Sequence, residues 1–239
     1  MPAGSPGLVR LDAPDRAKRR FIRILASLAV GLTLTVGSGV ATWAESADET
    51  SPAQAALQRA AEPFLRLHTF KAEFVQTQEW VGMDDPSFFR GVLYLERPNK
   101  FRKEYSEPAG TLQLCDGETV YTYVPENEQV LAVTLPRDGR ADILGRILEE
   151  SVAHPEVAEA DLDGIAVRIL TLDPPDGLEL ESVRLWTRSD SGAILQYELN
   201  ELSGNRDTYR LIETWSDPKL DPNLFQFEPP KGVPVVEVG

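Results

Sequence analysis

From Phe70 onward, apolar and polar side chains alternate with a period of two. Phe70, Ala72 and Phe74 share one face, Lys71, Glu73 and Val75 the other, and residues 76–81 extend the segment. That period is the mark of a strand. Turn-forming residues then recur at short intervals, at 82–87, 97–99, 107–110, 116–117 and 125–127. Between them run segments rich in β-branched, aromatic and leucine residues: 89–96, 101–105, 111–115, 119–124 and 129–135. This spacing predicts a meander of antiparallel strands.

Helical periodicity occurs twice. Ser51-Pro52 opens the first helix as a capping hydroxyl followed by proline. Leu57, Ala61, Phe64 and Leu65 then fall on one side of it, and Pro63 is expected to kink or divide it. In the second helix Ile143, Leu144, Ile147, Leu148 and Val152 line one face. Arg140, Arg146, Glu149 and Glu150 lie opposite, and Asp138 or Asp142 supplies the cap. Strands resume at 157–162, 165–172, 181–188, 193–202 and 207–215, and the segment 223–230 forms a last apolar anchor. The pattern predicts about eleven strands and two substantial helices, a mainly β fold with helices (α+β).

That ratio bears on function. The segments 119–124 and 165–172 are apolar or aromatic on both faces and need cover on both. Two helices cannot cover one face of so wide a sheet. A sheet of that width curls, and its apolar concave side encloses a space that the helices only partly fill. A cavity for an apolar ligand is the economical reading. A second layer or a dimer partner would cover the sheet equally well, and composition does not choose between them.

Ahead of this domain, the basic segment 16–23 is followed by an apolar run from Ile24 to about Val36, then by small residues ending in Ala41-Thr42-Trp43-Ala44. This order predicts an export signal over residues 1–44, cleaved after Ala44, and a working domain over 45–239 outside the cytoplasm. The apolar run is shorter than the roughly 20 residues that span a bilayer, which favours cleavage over anchoring. Loss of six Lys/Arg and two Asp/Glu takes the formal charge from −14 to −18. So acidic a chain repels nucleic acid and anionic membranes and favours basic partners. The single cysteine, Cys115, excludes an internal disulfide and reads as a structural thiol. With one cysteine, two histidines, His68 and His154, and no nucleophile-elbow or phosphate-loop pattern, neither a zinc site nor a Cys–His nucleophilic pair can be assembled. The paired acids Asp84-Asp85 and Glu149-Glu150 read as a turn and a solvated helix face, with nothing to support a two-carboxylate hydrolase. The chain reads as a non-enzyme with no cofactor and no metal.

The segment 91–102, GVLYLERPNKFR, is the distinctive stretch. Phe70-x-Ala72-x-Phe74-x-Gln76 resembles the opening strand of the LolA family, the periplasmic carriers of outer-membrane lipoproteins. So do Gly91-x-Leu93 running into Arg97-Pro98-Asn99-Lys100-Phe101, then Asp116-Gly117, then Tyr121-x-Tyr123-x-Pro125. The match ends at Phe225-x-Phe227-x-Pro229-Pro230-x-Gly232-Val233. One position departs from the family: Lys103 stands where an aromatic usually follows Phe101. The resemblance implies an incomplete antiparallel barrel with a helical lid over an apolar cavity for lipoprotein acyl chains. It further implies a periplasmic monomer that takes cargo from an inner-membrane lipoprotein-releasing transporter to an outer-membrane acceptor. Phe70, Phe74, Leu93, Leu95, Phe101, Tyr121, Tyr123, Ile143, Leu144, Ile147 and Leu148 are then expected to line the cavity. Arg97 matches a strand arginine that latches the lid; without the resemblance it reads as an exposed strand-end residue. A lipid-sensing regulatory module, or a carrier of another lipid, is the alternative on the same fold.

Overall fold

The computed structural model describes residues 51–136 and 139–238. The expected export signal lies outside them, as does Asp138. The chain opens with α1 (Pro52–Leu65), followed by β1 (Thr69–Glu79), β2 (Ser87–Glu96), β3 (Lys100–Glu107), β4 (Leu112–Asp116), β5 (Thr119–Val124) and β6 (Gln129–Thr134). After α2 (Ile143–Glu150) come β7 (Val152–Leu162), β8 (Ile165–Asp173), β9 (Leu180–Arg188), β10 (Ile194–Glu201), β11 (Arg206–Ser216) and β12 (Val235–Glu237). These twelve strands form one sheet in the order β12-β6-β5-β4-β3-β2-β1-β11-β10-β9-β8-β7. All pairings are antiparallel except β12 on β6. The two end strands do not pair with each other, so the barrel is incomplete. Register shifts at Glu73/Phe74 and Arg90/Gly91 interrupt the central ladders, where such irregularities bend and twist a sheet.

Both helices lie on the concave side. Ser51 Oγ accepts from the backbone N–H of Gln54 and starts α1. Its buried residues Leu57, Ala60, Ala61 and Phe64 join Phe70, Ala72, Leu170, Leu172 and Leu185 in the core. Gln54 Oε1 accepts from the backbone N–H of Ala153 at 2.8 Å and ties α1 to β7. Pro63 does not divide the helix, which runs on to Leu65. In the last turn it forfeits only one ladder bond. Asp142 is the cap of α2, accepting from Gly145 N–H at 2.8 Å. That helix stops at Glu150 because Ser151 turns extended, with φ −76° and ψ 154°. Val152 therefore opens β7 and is exposed instead of extending the helical face.

The outer face of β3 to β6 has a cover of its own. After β11 the chain crosses this face: Phe225 is buried there, and Arg102 Nη1 donates to Leu224 O at 3.0 Å. Phe227 stacks on Tyr121, with ring centroids 4.3 Å apart. The chain then becomes β12, whose parallel pairing with β6 accounts for the strand beyond the expected eleven. Cys115 is fully buried in β4, and burial pushes its thiol up to about 11, which keeps it protonated.

Candidate functional site: a lidded cavity and its latch

A cavity of about 130 Å³ lies between the concave face of the sheet and α2. Leu93 and Leu95 of β2, Phe101 of β3, and Ile143 and Leu144 of α2 line it, with Val120, Leu178 and Leu199. A dry engineered cavity of roughly 150 Å³ accepts one benzene-sized molecule. The cavity as it stands therefore has room for one apolar group of about that size.

The structure separates the residues expected at the cavity into three groups. Leu93, Leu95, Phe101, Ile143 and Leu144 line it. Phe70, Phe74, Ile147 and Leu148 do not: they are core residues beside it. Phe70 meets Phe64 of α1 edge-on at 5.1 Å, and Phe74 meets Tyr105 edge-on at 5.6 Å. Tyr121 and Tyr123 belong to the opposite face. Tyr121 is in register with Leu114 and Tyr123 with Leu112, whereas Val120 pairs Cys115 and reaches the cavity. Alternation along β5 then puts both tyrosines outside, where Phe227 stacks on Tyr121.

Arg97, at the turn between β2 and β3, spans the two helices. Its Nε donates to Leu67 O at 3.0 Å and its Nη2 to Phe64 O at 3.2 Å, so it holds the C-terminal end of α1. Its Nη1 donates to Asp142 Oδ2 at 2.5 Å, the residue that caps α2. The guanidinium also lies 5.0 Å from the centre of the Phe64 ring. The side chains of Arg97 and Asp142 are only 19% and 6% exposed, so neither charge could sit there without the other. Two residues on, Asn99 donates from Nδ2 to Gly139 O at 3.0 Å and steadies the approach to α2. The run from Arg97 to Asn99 thus joins both helices to the turn between β2 and β3, in the middle of the sheet.

Gly145 belongs to this latch. A Cβ there would stand 2.2 Å from Asp142 Oδ2 and 2.9 Å from Arg97 Nη1. Alanine ordinarily stabilises a helix interior by about 1 kcal/mol over glycine. Here the sign reverses: Gly145→Ala displaces the capping carboxylate and is expected to cost about 1–2 kcal/mol. Thermal melts of variant and wild type check this, and a raised melting temperature would refute it.

The far end of the cavity is polar. Gln76, Gln78, Lys103, Thr111, Gln113 and Asp207 all line it. Lys103 Nζ lies 4.9 Å from the centre of the Tyr209 ring, and Gln76 Nε2 donates to Asp207 Oδ1 at 3.1 Å. Burial lowers the Lys103 ammonium to about 8, partly offset by the Asp207 charge. Burial raises the Asp207 carboxyl from 3.8 to about 6, against hydrogen bonds from Gln76 and Gln78 that lower it. Because the folded value lies above the unfolded one, Asp207 contributes stability that is full below pH 4 and lost as pH rises through 6. Asp207→Asn should flatten that decline, as urea midpoints at pH 4 and pH 7 would report. Parallel declines in variant and wild type would rule it out.

Of these residues, Lys103 was marked in the sequence as a departure from the family pattern, Gln76 as the end of the opening-strand motif, and Asp142 as one of two candidate caps. A signal for Gln78 was present in β1, where the face carrying Phe70, Ala72, Phe74 and Gln76 continues to it.

The family model described as "Outer membrane lipoprotein carrier protein LolA" matches residues 66–228. An outer-membrane lipoprotein carrier protein of Alkalilimnicola ehrlichii is 31% identical over 153 residues, 62% of this chain and 68% of the relative. One of Legionella pneumophila is 29% identical over 150 residues, 62% of this chain and 73% of the relative. Among solved structures, a LolA superfamily protein of Nitrosomonas europaea aligns with a TM-score of 0.40 at 13% identity, over 73% of this chain and 97% of that one. The matched segment begins just after α1 and runs through β11 to the residues that cover the outer face, and so contains Arg97, Asp142 and every cavity-lining strand, though not α1 itself: the chain belongs to the LolA family of outer-membrane lipoprotein carrier proteins.

Proposed function

We propose that this protein is a periplasmic carrier that shields lipoprotein acyl chains in its cavity between the inner and outer membranes. Cargo is received from an inner-membrane releasing transporter and handed to an outer-membrane acceptor. The observation that carries this reading is Arg97 fastening both helices over an apolar cavity too small for cargo while closed. Each buried methylene is worth about 0.8 kcal/mol, so lipids with several chains do not cross water unaided. A carrier must enclose those chains and still release them. A lid held by a few polar bonds meets both needs, because breaking them lets the helices swing outward. No group in the cavity is called on for chemistry, and the reading is of a binding protein working as a monomer.

Mass spectrometry of the protein purified gently from its native periplasm tests the reading. Co-purifying lipoprotein is the expected result. A preparation without any amphiphile, from a protein that also fails to bind a fluorescent fatty-acyl probe, would overturn it.

A further inference from the structure

The concave face changes character at one level across several strands. Phe70, Leu95, Phe101, Cys115 and Val120 form one apolar row in register. The next row begins with Ala72 and Leu93 and ends with Lys103 and Gln113. Further along, Gln76 is in register with Tyr209 and Gln78 with Asp207. Uncharged polar side chains, with Lys103 and Asp207, thus gather towards one end of the cavity, beside the rings of Phe89, Tyr105 and Tyr209.

Three side chains at the polar end are left incomplete. Gln78 Oε1, Thr111 Oγ1 and Gln113 Oε1 have no hydrogen-bond partner, although these residues are only 2%, 4% and 1% exposed. Each lines the cavity. Buried polar atoms without partners are costly and rare, and three on one cavity wall mark a place where partners arrive from outside the chain. The missing partners are chiefly donors, because two of the three orphans are amide oxygens. Charge narrows the choice. Lys103 is opposed by Asp207, and Glu201 lines the same region, so the balance does not favour an anionic head group. Quaternary ammonium has no N–H or O–H to give the orphaned oxygens. Hydroxyl groups donate to Gln78, Gln113 and Asp207 and accept from Lys103.

We propose that this end of the cavity is a subsite for a neutral, hydroxyl-bearing head group, of sugar or glycerol type, on an amphiphile whose chain lies against Leu93, Leu95 and Phe101. The proposal rests on the acyl-chain reading above and names the head chemistry that the same cavity selects.

Displacement of a fluorescent fatty-acyl probe by four ligands with twelve-carbon chains tests it. Their heads are β-glucoside, monoacylglycerol, carboxylate and trimethylammonium. Wild type should prefer at least one hydroxyl head over carboxylate and trimethylammonium by about tenfold, a difference of about 1.4 kcal/mol. Preference for glucoside alone assigns a sugar, and preference for monoacylglycerol alone a glycerol. In the Gln78→Leu/Gln113→Leu variant the ratio between heads should fall towards one. That variant removes two orphaned amide oxygens together with the Gln78 hydrogen bond to Asp207, so it is expected to fold and to melt slightly lower than wild type; Lys103→Met serves as an independent second variant and should also reduce the ratio. Equal competition by all four heads in wild type, or a ratio that survives in both variants, overturns the subsite while leaving the carrier reading intact. Failure of the acyl probe to bind wild type overturns both.

Discussion

Arg97→Leu is expected to lower stability by about 3 kcal/mol and to cut delivery of lipoprotein to the outer-membrane acceptor by about tenfold or more. The substitution deletes three hydrogen bonds at once, to Phe64 O, Leu67 O and Asp142 Oδ2. It also strands the Asp142 carboxylate, whose side chain is 6% exposed, without its cation. Most of the cost comes from that stranded charge, since breaking one partner of a buried pair is worth about 3–5 kcal/mol. A double variant separates the two contributions. Arg97→Leu/Asp142→Asn keeps a side-chain oxygen to cap α2 but removes the unpaired charge, and should recover more than half of the lost stability. Delivery should stay impaired in the double variant, because the bonds to α1 remain absent and the loaded protein no longer closes. Melting curves and a transfer assay from preloaded carrier to purified acceptor measure the two effects independently. Wild-type transfer by Arg97→Leu would return the residue to an ordinary strand-end role.

The second large effect is expected at Gly91, far from the latch. A Cβ at this position would stand 2.3 Å from the carbonyl oxygen of Glu104 and 3.0 Å from the Phe74 ring. The obstacle is backbone of the neighbouring strand, which no rotamer change can move aside. Gly91 adjoins the register shift where β2 meets β3, so the two strands approach closely there. Gly91→Ala should therefore cost about 3 kcal/mol as the strands are forced apart and Phe74 loses its packing against Tyr105. Urea unfolding reads this directly. An unchanged midpoint would show that the ladder absorbs a methyl group without strain.

The glycine and the arginine show how differently two residues of one motif become legible. Gly91 was marked by its place in the strand that runs into Arg97-Pro98-Asn99, but nothing local revealed what it approaches. Arg97 was marked as a latch through the resemblance alone; its acceptors come from α1, some thirty residues earlier, and from Asp142, forty-five later. Reach of that kind is a property of topology.

The period-two pattern determined nearly all the strands, because alternation is imposed by the pleat and is written residue by residue. Helical spacing, with Ser51 as one cap and Asp138 or Asp142 as the other, likewise marked α1 and α2, though not where α2 ends. Both faces of 119–124 were legible as apolar, and the need for cover on both sides followed. Which face met which cover was decided only by the tertiary structure. Val120 faces the cavity and Tyr121 faces Phe227, because a chain segment a hundred residues downstream folds over the outside of β5. The same holds for the polar end of the cavity. Gln78, Thr111, Gln113 and Asp207 are unremarkable apart along the chain. They become one site because β1 pairs with β11 on one side, with β2 on the other, and through β2 and β3 with β4. Alternation fixes which residues share a face of their own strand; only register between distant strands brings those faces together.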